Sequence, residues 1–142
     1  MELVQRSNEV RILRVGVVGA RVRNAPEDKQ LVKDALLHLM QKHEDVRLHL
    51  VSGGCPKGAD RFAEELSQEL SLSLSIHYPD ESQMKDNSRS EYARICYARN
   101  TLIANECDML IALPAYDHIG PIGGTADTMK KVDKQGKPVV SL

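Results

Sequence analysis

LVSGGCPKGADRFAEEL, residues 50–66, passes from aliphatics to an amphipathic stretch through three glycines. Leu50 and Val51 close an alternating run that starts at Val46, which reads as a strand. Phe62, Ala63, Leu66 and Leu70 share one face of a helix that opens at Gly58. Gly53, Gly54 and Gly58 therefore occupy a single strand-to-helix turn. Glycine there permits backbone angles closed to other residues and lets the main chain approach a ligand closely. The stretch is one β-α unit.

The same unit recurs on both sides. ILRVGVVGA (12–20) is short, β-branched and nearly all apolar, as expected of a strand buried on both faces. Pro26 marks a helix start with Asn24 as its expected cap and Glu27 and Asp28 in the first turn. LSLSIHYP (72–79) alternates as a third strand, and DESQMKDNSRSE (80–91) is a polar loop. YARICYARNTLIANE (92–106) reads as a helix, CDMLIALP (107–114) as a fourth strand, and AYDHIGPIGG (115–124) as a second glycine-rich loop. TADTMKKVDKQG (125–136) is a short helix and KPVVSL (137–142) holds a last strand. Such alternation predicts an α/β fold, a Rossmann-like parallel sheet of about five strands with helices on both faces. Ligands of such sheets bind outside the carboxyl ends of the strands.

With 142 residues, one domain spanning 1–142 is expected, with residues 1–10 disordered. A net charge of −1 gives no electrostatic footprint for duplex nucleic acid or an anionic membrane. Phe62 and four tyrosines are the only aromatics, which weakens any single-strand stacking platform. MELVQRSNEVR lacks the apolar core of a signal peptide, and no apolar run is long enough to span a bilayer. Cys55, Cys96 and Cys107 form no CxxC, so reduced thiols and a cytoplasmic location are expected. No metal site and no cofactor are expected, because the five histidines do not stand at ligand spacing.

The residues least expected of a plain scaffold fall at the strand ends: Gly19 and Arg21 after the first; Gly53, Gly54, Lys57, Gly58 and Asp60 after the second; Asp117, Gly123, Gly124, Thr125 and Asp127 after the fourth. Both glycine turns read as anion cradles, where free N–H groups and the helix dipole attract phosphate. Thr125 is expected to cap its helix. Arg99 offers a bidentate grip on phosphate, and Asn100 a contact to base or ribose. GGCPKGAD lacks the ending of a Walker A loop and is not G-x-G-x-x-G, which removes the support for ATP hydrolysis and hydride transfer. Cys55 has no histidine placed as its base, so a catalytic thiol is not expected.

VSGGCPKGADRFAEE (51–65), YARNTLIANECDMLIALP (97–114), GGTADT (123–128) and KPVV (137–140), in this order, resemble the SLOG superfamily, closest to its short bacterial and phage-type members. The resemblance covers the chain from the first strand to the C-terminus. It implies a Rossmann-like domain that binds a nucleotide or nucleotide-derived ligand, with phosphate on Gly53, Gly54, Gly123, Gly124 and Thr125. Asp60, Arg99 and Asn100 match the GAD and RN positions. It also implies a homo-oligomer.

Relatives include the Lonely-Guy phosphoribohydrolases, whose PGGxGTxxE motif ends in a catalytic Glu. Here the run is PIGGTADT (121–128), and Thr128 stands where that Glu belongs. Binding, with sensing, carrying or sequestering of the ligand, is therefore the first expectation. N-glycosidic hydrolysis or transfer, with Asp127 and Asp117 as the catalytic carboxylates, is the second. A scaffold with a vestigial pocket is the third.

Overall fold

The computed structural model describes residues 11–142; the expectation of disorder over 1–10 lies outside the described residues. Five parallel strands, β1 (Arg11–Gly19), β2 (Val46–Ser52), β3 (Ser73–Ile76), β4 (Met109–Leu113) and β5 (Val139–Ser141), form one sheet in the order β3-β2-β1-β4-β5. The four connecting helices are α1 (Pro26–Lys42), α2 (Ala59–Glu69), α3 (Arg89–Glu106) and α4 (Gly123–Lys134). The chain runs outward from β1 to β3, then returns to place β4 against the other side of β1. Strand order reverses between β1 and β4, and that reversal opens a crevice at their carboxyl ends.

Alternation along the strands decides which helix lies on which face. Val15 and Val17 of β1, with Leu48, Leu50, Met109, Ile111 and Leu113, meet Val32 and Leu36 of α1 and Phe62, Ala63 and Leu66 of α2. Val18, Val51, Leu110 and Ala112 point the other way, onto Ile103 and Ala104 of α3 and Val132 of α4. Phe62 is fully buried. Its burial contributes about 1.5–3 kcal/mol to folding.

Several local expectations are corrected. Asn24 does not cap α1. The residue before that helix is Ala25, whose N–H is taken by Asp28 Oδ2 at 3.2 Å. Asn24 Oδ1 instead accepts from Gly58 N–H at 2.7 Å and from Arg61 at 3.1 Å, so it pins the start of α2. Thr125 does not cap α4 either; it lies within the first turn, and the preceding residue is Ile122. α3 begins at Arg89, one turn before the apolar pattern, because the Ser88 hydroxyl accepts from Glu91 N–H at 3.2 Å.

A polar cluster ties β3 to the end of α3. His77 Nε2 and Glu106 Oε1 are 2.6 Å apart, and His49 Nε2 lies 3.5 Å from Glu106 Oε2. Burial pushes the Glu106 carboxyl up, but hydrogen bonds from His77 and Ser75 and the two imidazoles outweigh it, leaving it below its usual 4.5. The unfolded chain then binds this proton more readily than the folded one. The stabilisation is present above the ordinary carboxylate range and lost as pH falls through the depressed value. Glu106→Gln is expected to cost about 1 kcal/mol at pH 7. In urea melts against pH, that deficit should shrink as pH falls below the ordinary carboxylate range and through the depressed value.

Candidate functional site

A cavity of about 500 Å³ occupies the crevice above β1 and β4. Its floor is the end of β1 and the turn after it, Val18 to Val22. Gly53, Cys55 and Asp60 come from the β2–α2 unit, and Ala115 follows β4. Ala93, Cys96, Tyr97, Arg99, Asn100 and Ile103 form the wall from α3, and Ile122 to Thr125 with Thr128 form the wall from α4. The β1 turn is held rigid by Ala20 N–H donating to Leu113 O at 2.9 Å. Arg23 reinforces it by donating to Pro114 O at 3.2 Å and Leu142 O at 2.6 Å.

The two glycine turns differ in chemistry. At the first, the amides are already taken. Asp60 accepts from Cys55 N–H at 2.9 Å and from Gly53 N–H at 3.4 Å, so its carboxylate occupies the place an external anion would need. Arg99 Nη1 donates to Gly53 O, closing the turn from the α3 side. A Cβ on Gly53 would come within 2.5 Å of that guanidinium nitrogen, so glycine here makes room for a protein side chain. Burial raises the Asp60 carboxyl above its usual 3.8, against the opposing pull of the Cys55 amide and the Arg99 charge.

The second turn is open. Gly123 has φ +75°, a conformation that glycine adopts without strain. No side chain caps α4, and the N–H groups of Gly123, Gly124 and Thr125 have no protein acceptor among the described residues. They line the cavity, where the positive end of the helix adds to their partial charges. Asn100 holds this turn in place: its Nδ2 donates to Gly124 O at 3.3 Å and to Asp127 Oδ2 at 3.2 Å, while its Oδ1 accepts from Arg99 Nε at 3.0 Å. The RN pair thus links both glycine turns.

Gly19, Arg21, Gly53, Asp60, Arg99, Asn100, Gly123, Gly124 and Thr125 are brought together around this cavity. Gly54 lines an adjoining one. Lys57, Gly58, Asp117 and Asp127 line neither. Gly58, at φ +71°, serves the Asn24 pin. Asp127 is neutralised by Lys131 at 2.7 Å, and Asp117 accepts from Ile119 and Gly120 amides at 2.8 and 3.1 Å within its own loop. Cys96 and Tyr97, one α3 turn before Arg99 and Asn100, line the cavity without having been singled out. Helical spacing from Arg99 and Asn100 was the signal available for them.

The architecture is that of a Rossmann-like α/β protein with its crevice at the β1/β4 switch point. Among solved structures the chain is similar to the molybdenum cofactor carrier protein of Chlamydomonas reinhardtii, at 20% identity and TM-score 0.58, over 92% of this chain and 76% of that one. It is also similar to a predicted subunit of tRNA methyltransferase from Methanocaldococcus jannaschii, at 12% identity and TM-score 0.49, over 91% of this chain and 67% of that one. The first likeness bears on the fold alone. No family model and no curated protein matches the chain. Among the described residues no helix is long and apolar enough to cross a membrane.

Proposed function

We propose that this chain is a SLOG-type domain, single over residues 1–142, that binds a nucleotide or nucleotide-derived phosphate ligand and senses, carries or sequesters it. The observation behind this reading is the uncapped first turn of α4, whose three amides face a cavity of about 500 Å³ beside Arg99 and Arg21. Oriented N–H groups at a helix start favour an anion, and the cavity volume is in the range of small-ligand sites. A protein of this fold being a molybdenum cofactor carrier is compatible with a carrying role. The family likeness adds a homo-oligomer as a proposal, and the three unpaired cysteines add a cytoplasmic location; light scattering on the purified chain tests the first.

Binding without cleavage is favoured over N-glycosidic hydrolysis. Neither Asp117 nor Asp127 lines the cavity, and the Thr128 hydroxyl is turned back to Gly124 O at 3.0 Å. Among the described residues Asp60 is the one carboxylate in that lining, and it is engaged by two amides. Nucleoside monophosphates and ribose 5-phosphate at 100-fold excess over Kd are expected to stabilise the fold by about 2.7 kcal/mol. No free base should appear on prolonged incubation. No thermal shift with any of these probes would remove the reading, and base release that vanishes in Asp60→Asn would replace it with a glycosidase.

A further inference from the structure

A second cavity, of about 410 Å³, adjoins the first and shares Arg21, Gly53, Cys55, Cys96 and Arg99 with it. It lies on the far side of that shared ridge from the α4 turn. Its other walls are of a different kind: Tyr78, Tyr92, Pro56 and Pro79, with Glu81 as its carboxylate. Tyr78 is 63% exposed and Tyr92 38%, so both rings keep free surface although they line a concavity. The Tyr78 ring sits directly on Gly54, at a position where any Cβ would collide with its Cδ1 and Cε1. Gly54 is at φ +77°, and the turn thereby seats an aromatic ring at the cavity edge. Glu81 belongs to a short 3-10 turn (Glu81–Gln83), and its carboxylate has no hydrogen bond or ion pair among the described residues. Arg21 is likewise without a side-chain partner there, at the junction of the two cavities.

We propose that the second cavity is the base subsite of the phosphate ligand, and that it takes a guanine-type ring, with Tyr78 and Tyr92 as stacking surfaces and Glu81 as the reader of its edge. The proposal rests on the phosphate site at α4. Aromatic faces receive a planar heterocycle without regard to its identity, and the proline rings add apolar contact. Identity is set by Glu81. An ionised carboxylate only accepts hydrogen bonds. Guanine presents two adjacent donors, the ring N1–H and the 2-amino group, which match two carboxylate oxygens. Hypoxanthine keeps the ring N–H and lacks the amino group. Adenine sets one amino donor beside a ring nitrogen acceptor, which faces the second oxygen with a lone pair. The ribose would cross the ridge formed by Cys96 and Arg99, and the 5′-phosphate would reach the α4 amides.

Calorimetric titration of the full chain with ribose 5-phosphate, GMP, IMP and AMP tests this. GMP is expected to bind about 10-fold tighter than IMP, with AMP weaker again. Glu81→Gln should bring GMP and IMP to within about 3-fold of each other, with ribose 5-phosphate unchanged. Tyr78→Ala should weaken GMP and AMP alike, by about 5- to 150-fold, and leave ribose 5-phosphate unchanged. Both side chains are exposed, so these variants should fold, which circular dichroism checks. If ribose 5-phosphate binds and no base improves on it, or AMP equals GMP, the base subsite is wrong and the phosphate site stands. If neither ribose 5-phosphate nor any nucleotide binds, both proposals fall.

Discussion

Gly19→Val is expected to destabilise the protein by about 3 kcal/mol or more and to lower Tm by roughly 10 °C. Gly19 ends β1 at the floor of the cavity. A Cβ there would lie 2.9 Å from Ala59 Cβ, 2.9 Å from Leu113 Cβ and 3.1 Å from Leu113 O. None of these atoms is the end of a flexible side chain. Ala59 opens α2, and Leu113 closes β4, whose carbonyl already accepts from Ala20 N–H. Relief therefore requires moving a helix or a strand in a closely packed interior.

Gly19→Ala is the milder form and is expected to cost about 1–3 kcal/mol. Adding Ala59→Gly to it removes one of the two Cβ collisions and should recover part of the loss, whereas Ala59→Gly alone should be mildly destabilising. Additive losses in the double variant would mean that the β1–α2 approach is looser than the geometry requires. The same variants should blunt any thermal shift with nucleoside monophosphates, because the turn that carries Gly19 also carries Arg21 into the cavity.

The order of strands and helices was legible in the sequence, but this close approach at Gly19 was not. The β-α alternation emerged from apolar patterning alone, since strands buried on both faces and one-sided helices differ in period. Elements whose ends depend on side-chain caps were harder. Ser88 extends α3 by a polar turn that carries no apolar signal. β3 stops at Ile76, three residues before Pro79, because the alternation of LSLSIHYP outlasts the pairing available from β2. The site was legible by residue type but not by role. Gly53 and Arg99 are expected around a phosphate and Asp60 around the ligand, yet they satisfy one another: the aspartate takes the turn's amides and the arginine takes its carbonyl. Sequence patterns cannot distinguish an amide that awaits a ligand from one already paired with a carboxylate seven residues away. At the second turn the carboxylate that follows, Asp127, is held by Asn100 and Lys131 instead, and the amides stay open.

That asymmetry gives a variant with opposite effects on stability and binding. Gly124→Asp is expected to raise Tm by about 3 °C and to weaken binding of ribose 5-phosphate or GMP by at least about 100-fold. The nearest atom to a Cβ at this position is Asn100 Nδ2, at 3.7 Å, so a side chain fits. Gly124 is also outside the positive-φ set that holds Gly123, so a side chain adds no backbone strain. Replacing a helical glycine stabilises by about 0.4–1 kcal/mol through the unfolded chain. A carboxylate in the first turn gains about 0.3–1 kcal/mol from the α4 dipole. Repulsion from Asp127, three residues on, is reduced by Lys131, 2.7 Å from that carboxylate. The new charge, however, stands where the ligand's phosphate needs to be, held by the same amides. Gly124→Asn separates the two effects, because it fills the same space without charge and should cost binding far less. Retention of ribose 5-phosphate affinity in Gly124→Asp would place the anion elsewhere, and a fall in Tm would mean that the first turn of α4 has no room for a second carboxylate.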